Sequence, residues 1–196
     1  MRRLLFLKGM VIIMTRNSRK RAGKEIFDYC MEHNINLKLG TDNYTPCYYT
    51  SYFSDDAPDN VIESNMDFTS NEIRLSVFYS YLGAEIAKNS NHQDELLRIL
   101  NYINSSMLYK CVENDKFKLS RLLYLPRIAM NQDGYIMISS IIPYDLYELA
   151  PEETMYYMTS FCPKLLDILA PYIFLSLYGE LTADQAISLI NQELFS

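Results

Sequence analysis

Leu122-Leu123-Tyr124-Leu125-Pro126-Arg127-Ile128-Ala129-Met130, then Asn131-Gln132-Asp133-Gly134, then Tyr135-Ile136-Met137-Ile138-Ser139-Ser140-Ile141-Ile142: this stretch decides the fold. Two apolar runs meet across Asp133-Gly134, a pair that fits the positive-φ positions of a tight turn, so they form a hairpin. Pro126 has no N–H to give a neighbouring strand, which places its strand at a sheet edge or at a bulge. Upstream, Leu96, Ile99, Leu100, Ile103 and Met107 recur at helical spacing. Ser90-Asn91-His92-Gln93 precedes them as a capping box, with Ser90 at the N-cap. The helix is expected to close on Asn101-Tyr102-Ile103-Asn104, and the polar Glu113-Asn114-Asp115-Lys116 links it to the hairpin.

Working outward toward the N-terminus, Ile73, Leu75, Val77, Tyr79 and Tyr81 alternate with Arg74, Ser76, Phe78 and Ser80. Before them Ile62, Met66 and Phe68 alternate with Glu63, Asn65 and Asp67, the pattern of a strand wet on one side. Thr69-Ser70-Asn71-Glu72 turns the chain between the two. Cys47–Phe53 is a third, tyrosine-rich strand, followed by the turn-forming Asp55-Asp56-Ala57-Pro58-Asp59-Asn60. Short polar turns favour an antiparallel meander, since parallel pairing needs a long crossover. Residues 19–34 read as a first helix with Ile26, Phe27, Cys30 and Met31 buried, and Gly40 with Thr41-Asp42-Asn43 reads as a loop.

Toward the C-terminus the pattern is helical. Pro151 suits a first helical turn and Glu152-Glu153 suit its positive dipole end. Pro163 and Pro171 are expected to kink or divide the segment. Gly179 closes it, and Thr182-Ala183-Asp184-Gln185 is a second capping box opening a terminal helix.

At 196 residues the chain has the size of one domain, with ample material for a core. Residues 1–18 are read as a basic, apolar extension and 19–196 as a single α+β domain. Eight of the 18 basic residues fall in the first 24 positions, and no acid precedes Glu25. Residues 25–196 therefore hold 10 basic against 24 acidic side chains, a balance of −14, which excludes nucleic acid as a partner of the body. Leu4–Met14 imitates a signal peptide, but Lys8 splits it and no small-x-small cleavage site follows. Eleven residues are also short of the about 20 that span a bilayer. Met14 is an alternative start; otherwise the segment is an extra strand or short helix. Membrane contact is expected only through residues 1–24.

The order helix, three strands, helix, two strands, helices carries a likeness. So do Leu96–Asn104, Asp133-Gly134-Tyr135-Ile136-Met137-Ile138 and Tyr178-Gly179-Glu180-Leu181-Thr182. Over roughly residues 20–180 the chain resembles the YbjN family, whose fold is similar to the small chaperones of bacterial type III secretion. The resemblance implies a five-stranded twisted antiparallel sheet with helices packed on it, in the order α-β-β-β-α-β-β-α-α. It also implies no catalysis, homodimerisation and contact with a protein or peptide partner. Family members are described loosely as sensory-transduction regulators. The chain departs from the pattern at its basic head and across 163–179.

Chemistry-bearing residues are sparse. His33 and His92 fall near helix ends and are expected to be exposed rather than ligating. The six glycines are solitary, so no phosphate-cradling loop, dinucleotide fingerprint or nucleophile elbow occurs. Asp55, Asp56 and Asp59 lack the spaced oxygens and closing glutamate of a calcium loop, and turn chemistry accounts for them. Glu152-Glu153 reads as a helix start. The cysteines at 30, 47, 111 and 162 form no C-x-x-C pair and are read as reduced, which favours the cytoplasm. No cofactor, metal or catalytic residue is expected.

Contact residues are the remaining candidates. Tyr48 and Tyr52 share one face of their strand, and Cys47, Tyr49 and Phe53 the other. Tyrosine joins a large apolar ring to a polar tip, which suits interfaces, although packing in a half-buried sheet recruits it too and is preferred for this strand. Tyr172–Tyr178 is apolar all round and must be buried either in the domain or against a second subunit; the second is preferred, so Ile173, Phe174, Leu177 and Tyr178 are expected to be partly exposed in a monomer and covered in a homodimer. The competing reading is a membrane-peripheral factor anchored through its basic, apolar N-terminus.

Overall fold

The computed structural model describes residues 18–42, 45–114 and 125–195. The expectations for residues 1–17 therefore lie outside the described residues, as does the start of the strand expected at Leu122.

The first element among the described residues is helix α1 (residues 18–32), whose end carries Asn34 at φ 57° with Ile35 N–H donating to the Cys30 carbonyl at 2.8 Å. Strands β1 (Lys38–Asp42), β2 (Thr45–Phe53), β3 (Val61–Phe68) and β4 (Glu72–Tyr79) follow. Next come helices α2 (Tyr81–Asn89), α3 (Gln93–Tyr102) and α4 (Leu108–Glu113), then strands β5 (Ile128–Met130) and β6 (Ile136–Pro143). Helices α5 (Tyr144–Leu149), α6 (Pro151–Tyr156), α7 (Cys162–Leu177) and α8 (Ala183–Phe195) complete it.

The α+β class and open antiparallel sheet agree with the sequence reading, but among the described residues the sheet has six strands, in the order β1-β2-β3-β4-β6-β5. The sixth is β1, where a loop was expected. Ile35, Leu37 and Leu39 alternate with Asn36, Lys38 and Gly40, a strand signal that the turn residues around Gly40 obscured. Gly40 serves close approach instead: a Cβ there would lie 2.6 Å from the Tyr49 ring.

Other boundaries moved for local reasons. The expected 122–130 strand shrinks to Ile128–Met130 among the described residues, at the sheet edge that Pro126 requires. There the Asn104 amide grips Ile128 on both backbone groups, at 2.8 and 3.0 Å. The helix expected to stop near Asn104 runs on through a π turn, Ile103–Met107, into α4. Tyr81 opens α2 rather than ending β4. The first capping box is replaced: Gln93 reaches back to the Ala87 and Lys88 carbonyls at the end of α2, and His92 is the N-cap. The second one forms as read, with Thr182 N–H donating to Gln185 at 2.9 Å. Pro163 enters α7 after a π turn, Tyr157–Phe161, while Pro171 sits inside α7 without ending it.

The hairpin closes as expected. Asn131 pairs with Tyr135, the Asn131 side chain accepts from Asp133 and Tyr135, and Gly134 adopts φ 94°. One contiguous core runs from Ala22 to Leu194, between the helices and one side of the sheet. Its strand residues include Ile62, Met66, Ile73, Leu75, Val77, Ile138 and Ile142, each at most 1% exposed. Tyr79 is buried among them and donates to the Leu166 carbonyl at 2.6 Å, which ties the sheet to α7.

Candidate protein-contact surface

The two groups of expected contact residues do not converge. Tyr48 and Tyr52 lie on the side of β2 that faces the helices, both half-buried. The Tyr48 ring stands edge-on to Phe68 at 5.1 Å and its hydroxyl donates to the Gly23 carbonyl at 3.1 Å. Burial pushes both phenols above their ordinary pKa, so both stay neutral.

The second group differs from its expected partial exposure. Ile173, Phe174 and Leu177 are buried inside the domain, with Phe174 edge-on to Tyr79 at 4.9 Å. Tyr178, beyond the helix end, is exposed. The apolar segment thus needs no second subunit to cover it. The run Pro151–Leu177 is long and apolar enough to cross a membrane, yet 61% of its most apolar window is buried in the fold.

The other side of the sheet is unevenly exposed, with Cys47 buried and its neighbours on β2 open to solvent. Register places Tyr49, Asn65, Ser76 and Ser139 in one row there, and Ser51, Glu63, Phe78, Met137 and Ala129 in the next. Antiparallel sheets often face water on one side, so bareness alone says little. The notable feature is composition: Phe53 at one corner is 75% exposed and Ile141 toward the opposite corner 65%, with Tyr49 exposed and Phe78 and Met137 half-buried in the rows between them. Alternation found this face, but which of two faces the helices would cover was not written in the period.

A second apolar feature lies where α1 passes the β1–β2 edge. The buried stripe of α1 is Ala22, Ile26 and Cys30, not the expected pair of adjacent rows; Phe27 and Met31 are exposed. Phe27, Leu39, Pro46, Tyr48 and Phe68 line a groove of about 550 Å³ there. Arg19, Lys20 and Lys24 stand along it.

Polar candidates have structural roles. His33 is exposed, stacks on Tyr29 at 4.0 Å and meets the Tyr29 carbonyl at 2.9 Å. His92 is exposed beside Gly179. Asp55 and Asp56 are exposed; Asp59 accepts from the Ser80 hydroxyl at 3.0 Å in a turn where Asp59 and Asn60 both have positive φ. Glu152 and Glu153 lie in the first turn of α6. Among the described residues no three His, Cys, Asp or Glu side chains gather as a metal site. All four cysteines are buried and none is in a disulfide, and burial pushes the Cys30 thiol up to about 11.

Compared with known proteins, the chain matches no family model and no curated protein.

Proposed function

We propose that this protein is a non-enzymatic, cytoplasmic protein-binding module, similar in kind to the YbjN-type regulators and secretion chaperones, that pairs with a second copy of itself. One observation carries the reading: large apolar side chains, Phe53 and Ile141, stand in water on a sheet face where alternation calls for polar ones. Apolar surface arranged on a rigid sheet gains free energy when a partner covers it, at about 25 cal/mol per Å². Around it, Glu63 and Arg74 supply charges of both signs, which a two-fold partner can meet with its own. Four buried cysteines, none in a disulfide, fit a reducing compartment.

The membrane-peripheral alternative draws less support from the described part of the head. Arg21 is held by Glu148 at 2.7 Å and Lys24 by Asp28 at 2.6 Å, so two of its cations face carboxylates of the same chain. Sedimentation velocity tests the proposal. The wild type is expected to show concentration-dependent dimers that a Phe53→Glu/Ile141→Glu variant loses while keeping its circular dichroism spectrum. A wild type that stays monomeric at every concentration rejects self-pairing.

A further inference from the structure

We infer that the groove between α1 and the outer edge of β1 binds an extended peptide segment in which apolar residues alternate with acidic ones. The inference rests on the protein-contact reading and names the chemistry of a partner. Three features meet at this place. First, β1 ends the sheet: among the described residues no strand pairs with its outer side. Such an edge offers backbone donors and acceptors in the spacing that an added strand needs.

Second, the floor beside that edge is apolar and reachable. Leu39 points to the helix side, across from Tyr48, and is 74% exposed; Phe27 on α1 is 42% exposed. An added strand directs every second side chain to one face, so its apolar residues would enter this groove together. Third, the α1 rim is basic. Lys24 is engaged by Asp28, but Arg19 and Lys20 have no carboxylate at ion-pair distance among the described residues.

Charge selects among occupants. Residues 25–196 carry a balance of −14, so an acidic peptide is repelled from most of this surface and drawn to the rim. Self-pairing of β1 about a two-fold axis would bring two sets of Arg19 and Lys20 together, an unfavourable contact. The chain's own residues 1–17 contain Arg2, Arg3, Lys8 and Arg16 and no acid, so they mismatch the rim as well.

Gly23 supplies a test that leaves charge alone. It lines the groove, and a Cβ there meets Tyr48 and Phe68 at ordinary distances of 3.8 and 3.9 Å. A Gly23→Leu side chain would fill the groove, while its better helix propensity keeps α1 intact. Fluorescence anisotropy is measured on the full chain with a labelled peptide alternating valine and glutamate, and with its valine–lysine counterpart. The acidic peptide is expected to bind at least about tenfold more tightly than the basic one. Arg19→Glu/Lys20→Glu should reverse that order. Gly23→Leu should abolish binding of both peptides without lowering the melting temperature.

Equal binding of the two peptides, or binding that survives Gly23→Leu, overturns the inference. Sedimentation of the same samples separates its failure from that of the parent reading. No peptide binding, with dimers that depend on Phe53 and Ile141, removes the groove inference and leaves the contact reading standing. Dimers lost in Gly23→Leu assign the groove to a second copy, and peptide binding that appears only on deleting residues 1–17 assigns it to the chain itself; both overturn the inference. Neither peptide binding nor dimers removes both readings.

Discussion

Alternate residues of the same strands meet opposite fates in this molecule. On β4, Ile73, Leu75, Val77 and Tyr79 are at most 1% exposed, while Arg74 between them stands in solvent. On β6, Ile138 and Ile142 are buried and Ile141 is 65% exposed. Two isoleucines side by side in the sequence therefore do different things. Ile142 is buried in the core beneath the helices; Ile141 stands in solvent, where the proposed second copy would meet it. Stability lives on one side of the sheet and the proposed contacts with a second copy on the other.

The sharpest way to break that division is to truncate both sides. Leu75→Ala should destabilise the fold by about 2–5 kcal/mol, the cost of a buried cavity. Ile141→Ala should stay within about 0.5 kcal/mol, as exposed positions do. Urea denaturation reads both, and equal losses would mean that the outer face is packed against something in the folded chain.

Two glycines sharpen the comparison at a smaller scale. A Cβ at Gly134 would lie 2.4 Å from the Ala84 carbonyl oxygen, on a residue already at φ 94°. Gly134→Ala should therefore cost about 1–3 kcal/mol, because neither backbone can yield easily. Gly40→Ala meets only the tip of the Tyr49 ring, on the outer face, and should cost less. Thermal melts that rank Gly40→Ala above Gly134→Ala would show that the outer face is the more rigid of the two.

The mildest effect is a pH dependence of the dry side. Burial raises the Cys30 thiol from 9.0 to about 11 in the folded state. A raised folded pKa means that this contribution to stability is whole below pH 9 and drains away as pH climbs toward about 11. The buried Tyr144 acts in the same direction. Subtracting the pH profile of Cys30→Ala from that of the wild type isolates the thiol. Parallel profiles would show that Cys30 is wetter than its surroundings imply.

Much of the scaffold was legible in the residues. The alternation of Ile62–Phe68 and Ile73–Tyr79, the stripe Leu96–Met107 and the Asp133-Gly134 turn all express local rules that the fold obeys. The failures share one cause, which is that distant contacts outvoted local signals. Gly40 reads as a breaker by itself but pairs in β1 because β2 lies beside it and Tyr49 covers it. Ser90 reads as an N-cap, yet its hydroxyl donates to the Leu177 carbonyl at 2.6 Å. Ile173, Phe174 and Leu177 read as surplus apolar area until the sheet supplies Tyr79 and its neighbours to bury them. The contact surface was the least legible part. Two-residue periodicity separates the faces of a strand, but only the docking of helices decides which face stays bare.

Hydroxyl-radical footprinting across a concentration series tests the central claim most directly. It compares Phe53 and Ile141 with Tyr81 and Leu149, which are 66% and 77% exposed on other parts of the molecule. Phe53 and Ile141 are predicted to lose reactivity as concentration rises while Tyr81 and Leu149 keep theirs. Unchanged reactivity at all four, or protection confined to Tyr81 and Leu149, contradicts the account.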